Sequence, residues 1–185
     1  MYLSCYLDSQ FIDFKRKSTF SDENGKLHDD NDERAIFFAK GVVETVKKLN
    51  WAPDIIHCQG WFASLVPMYI KKLYADDPLF ENVKVIYSVF DKSFDGVLSD
   101  TLPAKLLYER LEEADVARIQ ESSINNLHKF AVDYADAIVQ ASSEMDKDVL
   151  AHIKSSEKPF MEYPGDEDYI DAYQDFYSQF IEEEE

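Results

Sequence analysis

The chain has 185 residues, of which 45% are hydrophobic and 30% charged, a composition that supports a folded core and excludes a natively disordered polymer. The 37 acidic residues outnumber the 19 basic ones, so the formal net charge is −18 and the surface field repels phosphate backbones and anionic lipids. Neither nucleic acid nor a membrane is therefore an expected partner. No apolar stretch approaches the ~20 residues that span a bilayer, and the basic region of a signal peptide is missing, which predicts a cytoplasmic protein.

The residues that commonly bind metals or form disulfides are scattered along the sequence. Cys5 and Cys58 stand far apart without a CxxC partner, which predicts reduced thiols rather than a disulfide framework or a zinc site. His28, His128 and His152 lack the spacing of metal ligands. We therefore expect no metal and no cofactor.

The first predicted helix follows residues 29–33, a run of acids and an asparagine that favours a helix amino terminus. The apolar residues of this helix recur at helical spacing: Ile36, Ala39, Val43 and Val46. Asn50 can close the helix, and Pro53 prevents its continuation. Residues 54–58 are a short apolar run, which predicts a buried strand, and residues 61–74 have a helical pattern.

The alternation of strand and helix then repeats. Residues 83–89 and 137–141 are apolar and predict strands, and a long helical region is predicted between them, from about Pro103 to Tyr134. The sequence Ser142-Ser143-Glu144 signals the start of another helix. Strands that alternate with helices predict an α/β fold with a parallel sheet, which binds ligands at the carboxyl ends of its strands.

The last segment, residues 166–185, predicts an acidic amphipathic helix. Every charged residue after Lys158 is acidic, and the apolar residues recur at three- and four-residue steps: Tyr169, Ala172, Tyr173, Phe176 and Phe180. We expect this helix to pack on the body of the protein, and a disordered acidic tail is the alternative. No linker divides the chain, so residues 1–185 are predicted to form one domain.

Four segments of the sequence carry a family resemblance. Residues 51–67 read WAPDIIHCQGWFASLVP and resemble the pattern W-x-P-D-[IV]-[IV]-H-x-H-D-W-H-[TA]-[GA]-L-x-P of glycogen and starch synthases. Residues 30–35 resemble the D-N-x-x-R-F segment of that family, residues 85–91 its strand ending in T-[VI]-H-N, and residues 134–142 its Y-A-D-x-[IV]-T-[TA]-V-S segment. Together with FKR at residues 14–16, the similar region covers residues 14–155.

The resemblance implies a Rossmann-like parallel sheet flanked by helices, as part of an incomplete GT-B amino-terminal domain. It also implies transfer of glucosyl from ADP-glucose to α-1,4-glucan, with both molecules as ligands. The family's K-x-G-G-L nucleotide loop and its second domain have no counterpart in this sequence, so we expect activity to need a missing carboxyl-terminal domain or a split partner. The alternatives are a non-catalytic relative that binds glucan or protein, and an inactive truncated product.

The same resemblance implies roles for particular residues. His57 and Asp30 are the implied catalytic residues, with Asp30 facing the acceptor or sugar pocket. The implied substrate-binding residues are Gln59, Gly60, Trp61, Asn31, Arg34 and Asp91. The family's remaining polar residues are replaced by Gln59, Gly60, Phe62, Phe90 and Asp91, which thins the polar lining of a sugar site.

Each of these roles has a structural alternative. His57 at a strand end is expected more often as a buried, hydrogen-bonded imidazole than as a catalytic one. Asp30 can be a helix-start carboxylate that pairs with Arg34 on the surface. Trp61 can pack a helix onto the sheet rather than stack on a sugar ring.

Overall fold

The computed structural model describes residues 2–5, 18–91 and 94–181. Its centre is a five-stranded sheet in which every neighbouring pair is parallel and the strands follow in chain order. The strands, β1 to β5, are Tyr2–Cys5, Ile55–Gln59, Lys84–Val89, Ala137–Gln140 and Phe160–Met161. The central strands β2 and β3 are almost wholly buried, which explains why their sequences are continuous apolar runs. The predicted α/β fold with a Rossmann-like parallel sheet is confirmed.

The order of the strands decides where the connecting helices lie. Crossovers between parallel strands are right-handed, so strands that follow in chain order place all their connecting helices on the same face of the sheet. This face carries the main core, which joins alternate residues of the strands to α1 (Asn31–Lys48), α5 (Ile124–Tyr134) and α6 (Lys147–Ser155). Val43, Tyr87 and Phe130 are among its fully buried members.

The opposite face of the sheet is covered by the acidic helix α7 (Tyr169–Ser178). A smaller core lies between them and contains Ile55, Ile86, Ala137, Val139 and Phe176. The prediction that this segment packs on the body is confirmed. The helix is shorter than the predicted range 166–185, of which 182–185 lie outside the described residues. Tyr169 was expected on the buried stripe but is 50% exposed.

Helix α1 ends as the sequence predicts. Asn50 adopts a left-handed φ of 47°, and its backbone N–H donates to the carbonyl oxygen of Lys47 at 2.9 Å. The N–H of Trp51 donates to the carbonyl oxygen of Val46 at 3.2 Å. These two bonds form a Schellman motif, which satisfies carbonyl groups that the helix end would otherwise leave unpaired.

The helical stretch predicted for residues 61–74 is present but broken. It consists of a 3₁₀ turn Trp61–Ala63, a short helix α2 (Val66–Met68) and a π-helical segment Tyr69–Leu73. Pro67 lies in the middle of this stretch and has no N–H to donate to a carbonyl group one turn earlier. A regular α-helix therefore cannot run through the segment.

The long helical region predicted from about Pro103 to Tyr134 is present but divided into several helices. The structure has α3 (Leu102–Leu107), α4 (Glu113–Val116), a 3₁₀ turn Ala117–Ile119 and then α5. Arg110 has a left-handed φ of 71°, which ends the first helix. New helices then begin at their own capping residues: Glu112 forms a capping box with Asp115, and the Ser123 hydroxyl accepts from the N–H of Asn126.

The start predicted for the helix after β4 is wrong. Helix α6 begins at Lys147, because the Asp146 carboxylate accepts hydrogen bonds from the backbone N–H groups of Asp148 at 2.9 Å and Val149 at 3.3 Å. The Ser142 hydroxyl instead accepts from the backbone N–H of Asp91 at 2.8 Å, which ties the end of β4 to the end of β3.

We expect Phe176→Ala to detach α7 from the sheet. Phe176 is 6% exposed and is the buried residue of α7, so its truncation should lower the free energy of unfolding by about 3 kcal/mol. Urea denaturation and limited proteolysis of α7 measure the effect. Ile170→Ala is the matched control, because Ile170 lies on the same helix and is 63% exposed. Equal losses in the two variants would contradict this account of how α7 is held.

Candidate functional site

The turn after β2 carries the residues that the sequence singled out most strongly. Gly60 has φ 72° and ψ 174°, a backbone conformation that is essentially restricted to glycine. Its N–H donates to the carbonyl oxygen of Ser88 at 3.0 Å, which joins the ends of β2 and β3. A Cβ at this position would lie 3.8 Å from the Phe90 ring, an ordinary contact, so the backbone angle rather than space requires the glycine.

His57 lies on the α7 face of β2 and is 1% exposed. Its Nδ1 is hydrogen-bonded to the Tyr177 hydroxyl at 2.5 Å and its Nε2 to the Ser88 hydroxyl at 2.7 Å. Burial lowers the pKa of the imidazole to about 4, so the ring is neutral at pH 7. A neutral imidazole offers one donor and one acceptor, and both nitrogens have a hydroxyl partner.

Helix α7 is the reason that His57 is enclosed. The imidazole contacts the rings of Tyr173 and Tyr177, with centroid distances of 5.8 Å and 5.7 Å. The Tyr173 hydroxyl also lies 3.5 Å from the Ser88 hydroxyl. This cluster joins β2, β3 and α7, and in this arrangement the imidazole has almost no surface to offer a substrate. Sequence reasoning missed Tyr177, because nothing local in the sequence links it to a residue 120 positions away.

Trp61 belongs to an aromatic cluster on the opposite, helix-covered side. It is 4% exposed, and its ring lies 5.0 Å from that of Phe20 and 5.1 Å from that of Phe94. Phe62 is also 4% exposed and contacts both Phe20 and Phe38. The structure therefore places Trp61 in the core, where no face of its ring is open for stacking on a sugar.

The residues predicted at the start of α1 hold a loop in place. Asn31 is fully buried, and its side-chain amide donates to the carbonyl oxygen of Phe20 at 2.7 Å. Arg34 donates to the Asn31 side chain at 2.9 Å and to the carbonyl oxygen of Thr19 at 2.6 Å. Asp30 is half-buried at the helix start, and its side chain makes no capping hydrogen bond. Through Phe20, this loop reaches the Trp61 cluster.

Gln59 and Asp91 are the predicted residues with polar side chains that the structure leaves accessible at the ends of β2 and β3. Gln59 is half-buried and Asp91 is exposed. Beside them, the segment between β5 and α7 crosses the carboxyl ends of the strands. Phe90, Tyr163 and Tyr173 line a cavity of about 180 Å³ there. Gln59 and Asp91 thus share this edge. His57 lies next to Gln59 but is enclosed by α7, whereas Trp61 and the start of α1 lie in separate environments.

Sequence reasoning also missed a buried ion pair. Asp32 is fully buried, and its carboxylate accepts a hydrogen bond from Lys105 Nζ at 2.7 Å. Lys105 also lies 3.0 Å from the Glu33 carboxylate. The sequence presents Asp32 and its acidic neighbours only as a helix-start signal, and Lys105 lies in a helix whose bounds the sequence pattern does not predict. The pair fastens α1 to α3.

Within residues 2–5, 18–91 and 94–181, no three His, Cys, Asp or Glu side chains form a group able to hold a metal ion. The helices in these ranges include none that is both long and apolar enough to cross a membrane.

The parallel sheet, with Gln59 and Asp91 at the carboxyl ends of neighbouring strands, defines a Rossmann-like α/β domain of the GT-B type. The family described as the starch synthase catalytic domain matches residues 3–158, which is well over half of the chain. The chain therefore belongs to the starch synthase catalytic domain family, and the resemblance read from the sequence is confirmed.

Glycogen synthases are among the relatives of this chain. That of Chlorobium limicola is 41% identical over 102 residues, covering 55% of this chain and 21% of the relative. That of Chlorobium luteolum is 36% identical over 141 residues, covering 75% and 28%. That of Clostridium perfringens is 32% identical over 144 residues, covering 77% and 28%. The chain thus spans about a quarter of the length of these relatives.

A solved structure shows the same fold. It is the catalytic domain of starch synthase IV from Arabidopsis thaliana, bound to ADP and acarbose. It aligns with a TM-score of 0.59 at 18% identity, over 81% of this chain and 31% of the plant chain. Helix α7 begins after residue 158, so it lies beyond the segment that the family matches.

We expect the two buried histidines to make stability depend on pH. Desolvation lowers the pKa values of His57 and His128 to about 4 in the folded chain, against 6.5 for an ordinary histidine. The unfolded state therefore binds more protons between pH 4 and 6.5, so the stabilisation is complete above pH 6.5 and is lost as the pH falls. The loss approaches about 3 kcal/mol for each imidazole at pH 4. Urea denaturation at pH 7, 6 and 5 checks this, and His57→Gln should flatten the curve.

Asp32→Asn should destabilise the chain by about 2 kcal/mol, because it weakens a hydrogen bond between a buried carboxylate and an ammonium group. Glu33→Gln is the matched control. Glu33 binds the same Lys105 but is 65% exposed, so the change should be below about 0.5 kcal/mol. Thermal and urea denaturation give both values, and a larger effect at Glu33 than at Asp32 would refute the assignment.

Proposed function

We propose that this chain contributes part of the sugar side of an ADP-glucose-dependent glucosyltransferase that extends α-1,4-glucan. The observation that carries the proposal is the family match over residues 3–158, which contains every candidate site residue. The relatives are named glycogen synthases, and the plant structure of the same fold is bound to ADP and acarbose. By analogy with these bacterial relatives, we propose a cytoplasmic protein.

Glucosyl transfer requires the enzyme to hold the diphosphate, to stabilise its leaving charge and to orient an acceptor hydroxyl at the anomeric carbon. Within this chain we assign the sugar contacts to Gln59 and Asp91, because an amide and a carboxylate can hydrogen-bond sugar hydroxyls. The negative charge of Asp91 suits hydroxyls better than phosphate. Asp30 is proposed to face the acceptor. The diphosphate-binding groups are proposed to come from the rest of a complete catalytic domain.

We propose that His57 has a structural role in this site and holds the ends of two strands together. Its bond to Ser88 joins β2 to β3 directly beneath the turn that carries Gln59 and Gly60. A direct catalytic role would require α7 to move away from the imidazole, because Tyr173 and Tyr177 cover it.

A second candidate function is glucan binding without catalysis, in a protein that is a non-catalytic relative of the transferases. The enclosure of His57 beneath α7 favours it, as do Phe62 and Phe90 at positions where the family pattern has histidines. Such a protein would keep sugar contacts and lack transfer.

The two candidates can be separated with a chimera. We would replace the matching segment of the Clostridium perfringens glycogen synthase by residues 3–158 of this chain and assay glucosyl transfer from ADP-glucose to glycogen. We expect measurable transfer, slower than in the parent enzyme by about 10²-fold or more, because positioned acid–base side chains have been replaced. Asp91→Asn should slow it further.

Restoring one family residue gives a matched comparison. Gln59→His should raise the rate of the chimera, whereas Gln120→His, at an exposed glutamine outside the strands and outside the family motifs, should not. Gly60→Asp is not a useful restoration, because its backbone angles strain any side chain. A folded chimera that binds glycogen but stays inactive even with Gln59→His would support the non-catalytic candidate and overturn the transferase proposal.

A further inference from the structure

A groove of about 710 Å³ runs along one flank of α7, between that helix and β2. We call it the α7 groove. Its wall carries three tyrosines, two glutamines and the imidazole described above: Tyr169, Tyr173, Tyr177, Gln59, Gln174 and His57. The remaining lining residues are two isoleucines and a serine. Its volume is within the range of small-molecule sites, and α7 lies outside the segment that the family matches.

The groove is uncharged in a strongly acidic protein. None of its lining residues is Asp, Glu, Lys or Arg, and His57 is neutral at pH 7. Yet the chain has a net charge of −18, and Asp168, Asp171 and Asp175 lie exposed on or beside the same helix. The surrounding field repels anions, and the lining supplies no cation to hold a phosphate. The fitting ligand is therefore a neutral molecule.

The polar groups of the groove are of the kind that recognise hydroxyls. Each glutamine amide offers both a donor and an acceptor, as a sugar hydroxyl requires. The tyrosines supply aromatic faces against which the apolar face of a sugar ring can pack. Tyr169 is 50% exposed, so part of its surface is open to such a contact.

The spacing of the tyrosines suits an extended ligand. Tyr169, Tyr173 and Tyr177 are four residues apart on α7, so they form a stripe about 12 Å long on one side of the helix. The stripe is partly fixed in advance, because the Tyr177 hydroxyl is held by His57 and the Tyr173 hydroxyl lies near Ser88. Fixed aromatic side chains lose little entropy when a ligand binds.

We infer that the α7 groove binds a neutral oligosaccharide, specifically a short α-1,4-glucan chain, through the stripe of tyrosines and the amides of Gln59 and Gln174. The choice of glucose as the sugar rests on the proposed function, whereas the uncharged, aromatic and amide-lined groove is independent of it. This site shares Gln59 with the strand-end site of Asp91 but extends from there along α7, and it needs no nucleotide.

Calorimetric titration of the full chain with maltoheptaose tests the inference, with ADP as the anionic probe. We expect the titration to show binding of maltoheptaose and no binding of ADP. The groove variants then locate the site of maltoheptaose binding. Tyr169→Ala and Gln174→Ala should each weaken maltoheptaose binding at least fivefold. The matched controls are Tyr108→Ala, at a tyrosine that is 90% exposed elsewhere, and Gln179→Ala, at an exposed glutamine beyond the end of α7, and both should leave binding unchanged.

Each other outcome overturns the inference. Absence of maltoheptaose binding at millimolar concentration would do so, and so would binding that neither groove variant weakens. Self-association that is lost in Tyr169→Ala, without sugar binding, would show instead that the groove is an interface between two copies. Failure of the glycogen synthase chimera would not affect this result, because the chimera contains residues 3–158 and therefore lacks α7.

Discussion

Right-handed crossovers between parallel strands that follow in chain order leave one face of the sheet without any connecting helix, and the rest of the structure depends on how that face is covered. Ile55, Ile86 and Val139 would expose apolar surface there if α7 were absent. The acidic helix covers them with Phe176 and its neighbouring aromatic residues. Its charged side remains in water, so one helix both completes the core and contributes to the acidity of the surface.

The same packing determines the chemistry near the end of β2. His57 and Ser88 lie on the face that α7 covers, so the imidazole becomes a neutral, doubly hydrogen-bonded group. Trp61, two residues beyond β2, lies within the main core instead. The accessible polar groups at this edge are then Gln59 and Asp91, together with the groove that α7 forms along its flank. In this member of the starch synthase catalytic domain family, α7 thus determines which polar groups are accessible on this side of the sheet.

The sequence predicted the elements that depend on local residue patterns. The strands at β2, β3 and β4, the helix α1 with its Asn50 end, and the packing of the acidic helix follow from hydrophobic periodicity and capping residues. The helical region from about Pro103 to Tyr134 was predicted without its internal breaks, because periodicity continues through short turns whose left-handed residue and capping box are weak local signals. The two-residue strand β5 was missed, since so short an element exists only by pairing with β4.

By itself, the sequence determined the family, the parallel α/β architecture and the amphipathic character of the last helix, because motif residues and apolar periodicity are properties of neighbouring positions. Only the tertiary structure decided which face α7 covers, that Asp32 is buried against Lys105, and that His57 meets Tyr177. These contacts join residues that are 73 and 120 positions apart. Their formation depends on the handedness of the crossovers and on which elements meet across the sheet, and no local pattern encodes either.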